Sequence, residues 1–293
     1  MSIVVAVLEI VAPVFVLASI GFLWVKLGGE YRVQFVTHLA MTLGIPCLIF
    51  TAMMDAAIDP AALTEVVLAT VVAYLALTFL AWILVSLLRL ERRVYLAPIV
   101  FGNTGNLGLP LAMFAFGEAG LGYAVVIFAV MAVYSFTFGV WLISCGGSPF
   151  KVLKEPIVAA TLLGGLFLVN GWHTPLWLTN TLKLIGQMAI PLMLITLGVA
   201  VARLKLHKIG RATLISVLKV LASIGIGLAT AVAFGLDAVP FAVLVLQIST
   251  PVAVTSYLLA EKYDADPDSV AGLVVVSTLI SIAAIPVTLA FLL

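Results

Sequence analysis

Ten apolar segments, each about as long as a helix must be to cross a lipid bilayer, follow one another along the chain with short connections. A transmembrane helix needs about 20 mainly apolar residues. A bilayer admits only helices and closed barrels, because every backbone polar group must be paired inside the protein. The pattern therefore predicts an all-α integral membrane protein with ten transmembrane helices. The ten spans cover residues 3–25, 36–54, 63–88, 95–117, 121–145, 152–170, 178–202, 211–234, 238–260 and 269–292.

The composition supports a membrane protein and disfavours several other classes. Of the 293 residues, 64% are hydrophobic and 9% are charged, whereas about 25% are charged in soluble domains. The net charge of +1 gives no basic surface for nucleic acid. Cys47 and Cys145 form no CxxC pair, so neither a disulfide framework nor a metal site is predicted. A membrane enzyme is disfavoured because HExxH, GxSxG and paired intramembrane acids are missing from the sequence, and we predict no cofactor.

The basic residues indicate how the chain is oriented. Loops after the odd-numbered spans and the edges of those loops are rich in lysine and arginine, whereas the opposite side holds Lys183. The positive-inside rule then places both termini outside the cytoplasm, in a multi-pass protein of the cell membrane. The basic residues on the predicted cytoplasmic side are Lys26, Arg32, Arg89, Arg92, Arg93, Lys151, Lys154, Arg203, Lys205, Lys208, Arg211 and Lys262.

Span four contains the stretch FGNTGNLGLP, at residues 101–110, which is poorly suited to a continuous helix. Non-helical backbone at membrane depth is tolerated where it is buried in protein or lines a watery cavity. We expect an unwound section from about Gly102 to Leu109, followed by a half-helix that starts at Pro110. Span nine has polar residues directly before Pro251 and predicts a second break. A matching pair of interrupted helices indicates the binding site of a transporter.

Paired prolines suggest an internal repeat. Pro46 and Pro191 both follow an isoleucine, and they are separated by nearly as many residues as Pro110 and Pro251. Two five-span halves, residues 1–148 and 149–293, would account for both pairs, with chance as the alternative. Because five is odd, the second half enters the membrane from the opposite side, so the repeat is inverted.

The interrupted helices also indicate the charge of the substrate. Each break leaves a half-helix N-terminus near the membrane midplane, which carries about half a positive charge. Two such ends, near Leu111 and Val252, favour an anion and particularly a carboxylate. Alternatively, the polar side chains there satisfy the backbone that the breaks leave unpaired. The candidate substrate-binding residues are Asn103, Thr104, Asn106, Gln247, Ser249 and Thr250, with Pro110 and Pro251 as the prolines of the two crossover helices.

The sequence FGNTGNLGLPL resembles the auxin efflux carrier family, which includes plant PIN proteins and bacterial permeases for malate and malonate. The resemblance covers the whole chain, including the Ile-Pro motifs and the break in span nine. It implies crossing broken helices, a scaffold of spans 1, 2, 6 and 7, and a bundle of spans 3–5 and 8–10 that moves like an elevator. It also implies a possible homodimer. The loop 146–155 is short, which favours a bacterial relative over a plant hormone exporter.

These observations predict a secondary transporter for small organic anions such as malate, malonate or auxin-like acids. One alternative is a sodium-coupled organic-anion symporter of the bile-acid type, which the lack of acidic residues in the middle of spans four and nine disfavours. A channel or a ligand sensor on the same fold is another. Lys219 in span eight has two interpretations, a counter-charge for a carboxylate or a side chain that snorkels to the cytoplasmic interface. The second is favoured.

Overall fold

The computed structural model describes residues 3–55, 60–144, 156–203 and 209–293, which are helical with short connections. Several residues used in the sequence analysis lie outside these ranges: Cys145, the loop 146–155 with Lys151 and Lys154, and Lys205 and Lys208.

The helices follow the order of the predicted spans. They are α1 (Ile3–Lys26), α2 (Val33–Leu39), α3 (Ile45–Met54), α4 (Pro60–Leu87), α5 (Arg92–Val100), α6 (Leu109–Tyr134), α7 (Val140–Ile143), α8 (Pro156–Asn170), α9 (Leu176–Gln187), α10 (Ala189–Arg203), α11 (Ile209–Ala233), α12 (Ala238–Ile248), α13 (Val254–Lys262) and α14 (Pro267–Leu292). Three π-helical turns, Ala40–Gly44, Thr104–Gly108 and Ser135–Gly139, adjoin α-helices.

Seven helical stretches in the described part of the chain are long and apolar enough to cross a membrane. Large apolar side chains such as Leu8, Phe79, Leu221 and Phe291 are exposed on their outer faces. Continuous apolar surface of this kind suits contact with lipid. The protein is therefore a multi-pass membrane protein.

One of these stretches, Thr104–Ile143, has 40 residues and is about 60 Å long if straight, twice the thickness of the hydrocarbon core. It turns back at Gly117, whose φ of 64° and ψ of −152° are not helical. A Cβ atom at Gly105 would lie 3.0 Å from the ring of Phe128, and the rings of Phe101 and Tyr134 are 5.4 Å apart. The stretch therefore forms two antiparallel arms that correspond to the end of span four and to span five.

The helices pack in two groups. α1, α2, α3, α8, α9 and α10 pack mainly against one another and form the first packing group. The second packing group consists of α4–α7 and α11–α14, in which α6 contacts α12, and α11 contacts both α4 and α14. Contacts of α6 with α1, α3 and α8 join the two groups.

Glycines bring the backbones of α1 and α10 into direct contact. A Cβ atom at Gly198 would lie 1.7 Å from the carbonyl oxygen of Ala18, and one at Gly21 would lie 2.0 Å from that of Ile195. Since lipid tails are as apolar as the side chains, close backbone packing of this kind is a main source of helix association in membranes. The close contact between α1 and α10 therefore depends on these two glycines.

We expect Gly198→Ala to lower the melting temperature, because the added methyl group overlaps Ala18 and overpacking costs about 1–3 kcal/mol. The matched control is Gly225→Ala, since Gly225 is also within a helix and a Cβ atom there meets nothing within 4 Å. The control should be neutral or slightly stabilising through helix propensity. Thermal unfolding in detergent measures both, and equal melting temperatures would contradict the predicted contact.

Candidate functional site

Two helices are interrupted in the interior of the protein. α5 ends at Val100 and the helix resumes with the π-helical turn at Thr104. α12 ends at Ile248 and α13 begins at Val254. All residues between these ends are buried. We refer to residues 101–103 and 249–253 together as the paired breaks.

The paired breaks lie side by side and run in opposite directions. Gly102 and Val252 form an antiparallel bridge. The N–H group of Asn103 donates to the carbonyl oxygen of Pro251 at 2.6 Å, and that of Ala253 donates to Phe101 at 3.4 Å. Each interrupted backbone therefore satisfies polar groups of the other, as two strands of a sheet do.

Two glycines make this close approach possible. A Cβ atom at Gly102 would lie 2.3 Å from the hydroxyl oxygen of Thr250. One at Gly108 would lie 2.1 Å from the amide oxygen of Gln247. A side chain at either position would have to displace Thr250 or Gln247 from its place, which gives a steric reason for two of the three glycines in FGNTGNLGLP.

The unwound section in span four is shorter than the sequence predicts. Residues 101–103 leave the helical path, but Thr104–Gly108 forms a π-helical turn in which the N–H groups of Leu107 and Gly108 both donate to Asn103 O at 3.1 Å. The wider turn accommodates Pro110, whose ring would clash with the carbonyl group of residue 106 in a regular α-helix. The expected unwinding as far as Leu109 is therefore wrong.

The two prolines do not occupy equivalent positions. Pro251 lies in the paired breaks, whereas Pro110 lies in the first turn of α6. The bridge instead pairs Gly102 with Val252. The helix N-termini predicted near Leu111 and Val252 are consequently at Thr104 and Val254, because the chain re-enters a helix directly after the residues that pair.

The hydroxyl groups of Ser249 and Thr250 bind local backbone. Ser249 Oγ donates to the carbonyl group of Leu246 at 3.0 Å, and Thr250 Oγ1 donates to that of Gln247 at 2.7 Å. Carbonyl groups near the end of a helix lack intrahelical partners. Both side chains thus satisfy backbone carbonyl groups at the end of α12, which is the alternative to substrate binding given in the sequence analysis. Their hydroxyl oxygens remain able to accept a hydrogen bond.

Three other candidate residues have buried polar atoms without a partner. These atoms are Asn103 Nδ2, Thr104 Oγ1 and both polar atoms of the Gln247 amide. An unsatisfied buried polar atom costs about 1–3 kcal/mol. Such atoms on both sides of the paired breaks mark a place where a polar ligand can bind. Asn106, the remaining candidate, is partly exposed.

Lys219 also reaches the paired breaks, and the prediction that it snorkels to the interface is wrong. The side chain is 2% exposed, and Nζ donates to the carbonyl oxygen of Thr250 at 2.9 Å. The interrupted helix supplies an acceptor inside the protein, so the ammonium group has no need of the interface. A lysine within an apolar span is unusual and indicates a special role, but no local pattern indicates its partner.

The sequence analysis missed Ser277 of α14. Its hydroxyl oxygen accepts a hydrogen bond from the N–H group of Val252 at 3.0 Å. This serine lies in an ordinary apolar helix, so nothing in the local sequence distinguishes it from other membrane serines.

An apolar cavity of about 430 Å³ lies between the two packing groups. Met53 of α3 and Thr161 of α8 line one side, and Tyr74 and Tyr134 line the other. The ring of Phe101 stacks against Tyr74 at 6.4 Å and meets Tyr134 edge-on at 5.4 Å. The cavity wall is therefore in direct contact with the first residue of the paired breaks.

Comparison with known proteins identifies similar sequences. The family described as "Membrane transport protein" matches residues 6–152 and 140–289. A protein of Methanothermobacter thermautotrophicus described as an uncharacterized transporter is 30% identical over 298 residues, which covers 95% of this chain and 96% of the relative. Both matches span nearly the whole chain.

We expect Ser277→Ala to destabilise the protein by about 1–3 kcal/mol, because the N–H group of Val252 would be left buried without an acceptor. Ser281→Ala is the matched control, since Ser281 is buried on the same helix and its hydroxyl likewise donates to the carbonyl three residues earlier. Thermal unfolding and hydrogen exchange at Val252 measure the effect. Equal losses of stability with unchanged exchange would show that the hydrogen bond to Val252 is unimportant.

Proposed function

Because the chain belongs to the membrane transport protein family, the auxin efflux carrier family that the sequence resembles, we propose that it is a secondary transporter for small organic anions. The anion binds at the paired breaks through its carboxylate group. The second packing group carries it across the membrane, in an elevator-like motion against the first packing group.

Ten crossings in two inverted halves fit the observed helices. The seven long stretches give eight crossings, because Thr104–Ile143 forms two arms, the first of which continues α5. The shorter helix α8 and the pair α12 with α13 supply the other two. Two contacts join corresponding points of the halves: Gly102 with Val252, and Gly44 with Ala189, where a Cβ atom on Gly44 would lie 3.3 Å from that of Ala189. Contacts between equivalent segments are expected near the axis of an inverted repeat.

The observation that carries the proposal is the set of buried, unpartnered polar atoms at the paired breaks. The amide nitrogens of Asn103 and Gln247 are donors, which suit the oxygens of a carboxylate. The N–H groups in the first turn at Thr104 have no preceding helical carbonyl groups and add further donors. A carboxylate would thus satisfy groups that the protein leaves unpaired.

The charge at the paired breaks also favours an anion. Two helix N-termini, at Thr104 and Val254, and two C-termini, at Val100 and Ile248, meet there. Partial charges of opposite sign at these ends offset one another. The ammonium group of Lys219 adds one positive charge, and the ion pairs of Glu30 with Arg32 and of Asp55 with Lys183 do not involve it.

The apolar cavity provides space for the rest of the substrate. Its walls belong to both packing groups, and it adjoins Phe101. A substrate with its carboxylate at the paired breaks and its carbon skeleton in this cavity would contact the first and the second packing group at the same time. The proposed orientation has both termini outside the cytoplasm.

Uptake of labelled malate, malonate and indole-3-acetate into proteoliposomes tests the function. We expect saturable uptake of at least one of these acids that responds to an imposed membrane potential and is independent of sodium. Uptake that requires a sodium gradient would establish the bile-acid-type symporter instead. Flux that does not saturate would indicate a channel, and binding without flux would indicate a sensor.

We expect Asn103→Ala and Gln247→Ala each to raise the half-saturating substrate concentration about tenfold or more, because a hydrogen bond to a charged group contributes about 1.5–3 kcal/mol. Asn170→Ala is the control, since Asn170 is exposed and donates to a carbonyl group of its own helix. Unchanged uptake by the Asn103 and Gln247 variants would place the binding site elsewhere.

A further inference from the structure

We propose that the ammonium group of Lys219 is a tethered cation, which permanently occupies a site for a small monovalent cation at the end of α12. The inference rests on the proposed function only where it explains the charge of the transported ion. The site itself follows from the contacts of Lys219.

The end of α12 is a place where a cation is stabilised. Its last carbonyl groups point into the protein, and the negative end of the helix dipole lies there. Ser249 and Thr250 satisfy two of these carbonyls from within the segment. The carbonyl oxygen of Thr250 receives its hydrogen bond from Lys219, which belongs to another helix.

Lys219 reaches this position across the interface between α11 and α12. The two helices are close, since a Cβ atom at Gly227 would lie 3.2 Å from the Cα atom of Val245. Ser216 and Ser223 lie one turn before and after Lys219, and both have buried hydroxyl oxygens without a partner. Ser223 lines the same small cavity as Lys219, together with leucines of α4. Neither serine donates to or accepts from the ammonium group, whose acceptor is the carbonyl oxygen of Thr250.

No acidic side chain accounts for this charge among the described residues. The helices packed against α11 are chiefly α4, α5, α12 and α14. Their charged residues are Glu65, Arg92, Arg93 and Asp268, which lie near helix ends away from the breaks, and α12 has none. A buried lysine normally pairs with a carboxylate or with backbone carbonyl groups, and here it pairs with a carbonyl group.

A covalently held cation has a direct consequence for transport. A free ion that binds at helix carbonyl groups must be supplied from solution and carried along with the substrate. Lys219 belongs to the second packing group, so its charge stays with the paired breaks in every state. The carrier would then attract an anion without binding a coupling cation.

Chemical rescue tests the proposal without a transport assay. Lys219→Ala removes the atoms of a propylammonium ion and leaves the site open. We expect this variant to melt several degrees below the parent, and propylammonium chloride to restore the melting temperature saturably. Neutral propanol, which has nearly the same size, and choline chloride at equal ionic strength should not restore it. The parent and Lys183→Ala, an exposed lysine truncation, should not respond to propylammonium.

Equal rescue by propanol would show that Lys219 only fills space and would overturn the proposal. The proposal would also be overturned if propylammonium gave no rescue and the Lys219→Met variant were as stable as the parent. If Lys219→Ala does not fold, the comparison of Lys219→Arg with Lys219→Met decides: the arginine variant should be the more stable, and the reverse order would overturn the proposal. Because stability is measured, these results stand even if the parent transports none of the tested acids.

Discussion

A backbone that leaves the helical path inside a bilayer must find partners for its N–H and C=O groups within the protein, since the lipid offers none. In this chain, the two interrupted segments are each other's partners. The hydrogen bonds from Asn103 to Pro251 and from Ala253 to Phe101 make each break dependent on the other. The rest of the site follows from this pairing, because it brings polar residues from distant parts of the sequence to one point.

The polar residues at the paired breaks fall into two sets with different roles. Ser249, Thr250, Ser277 and Lys219 bind backbone groups that the breaks expose. Asn103, Thr104 and Gln247 retain polar atoms that no group in the described chain satisfies. The first set stabilises the unwound geometry, and the second set is free for a ligand. A site that contained only the first set would be a structural solution to a broken helix and nothing more.

Local sequence predicts the existence of the breaks well and their geometry less well. Glycines, amides and Pro110 in one apolar segment are incompatible with a continuous helix, so the interruption in span four could be predicted from residue types alone. Pro110 accounts locally for the wider turn at Thr104–Gly108, but the sequence does not show that only residues 101–103 leave the helical path, because this depends on the pairing of Gly102 with Val252, which is distant in the chain. The same limit applies to Lys219: its partner is a carbonyl group, which carries no sequence signal.

In the inverted repeat that we propose, the two halves contribute different chemistry to the same point. The first break supplies the side-chain donor of Asn103 and the N-terminus at Thr104. The second supplies Gln247 and the carbonyl group that holds Lys219. In the proposed repeat, residues 69–74 of α4 would correspond to the position of Lys219, and they contain no charged residue. If the halves were chemically equivalent, the helix ends of the breaks would largely cancel in charge. The lysine on one half breaks this balance, so the preference for an anion that we propose would arise from the difference between the halves and not from their symmetry.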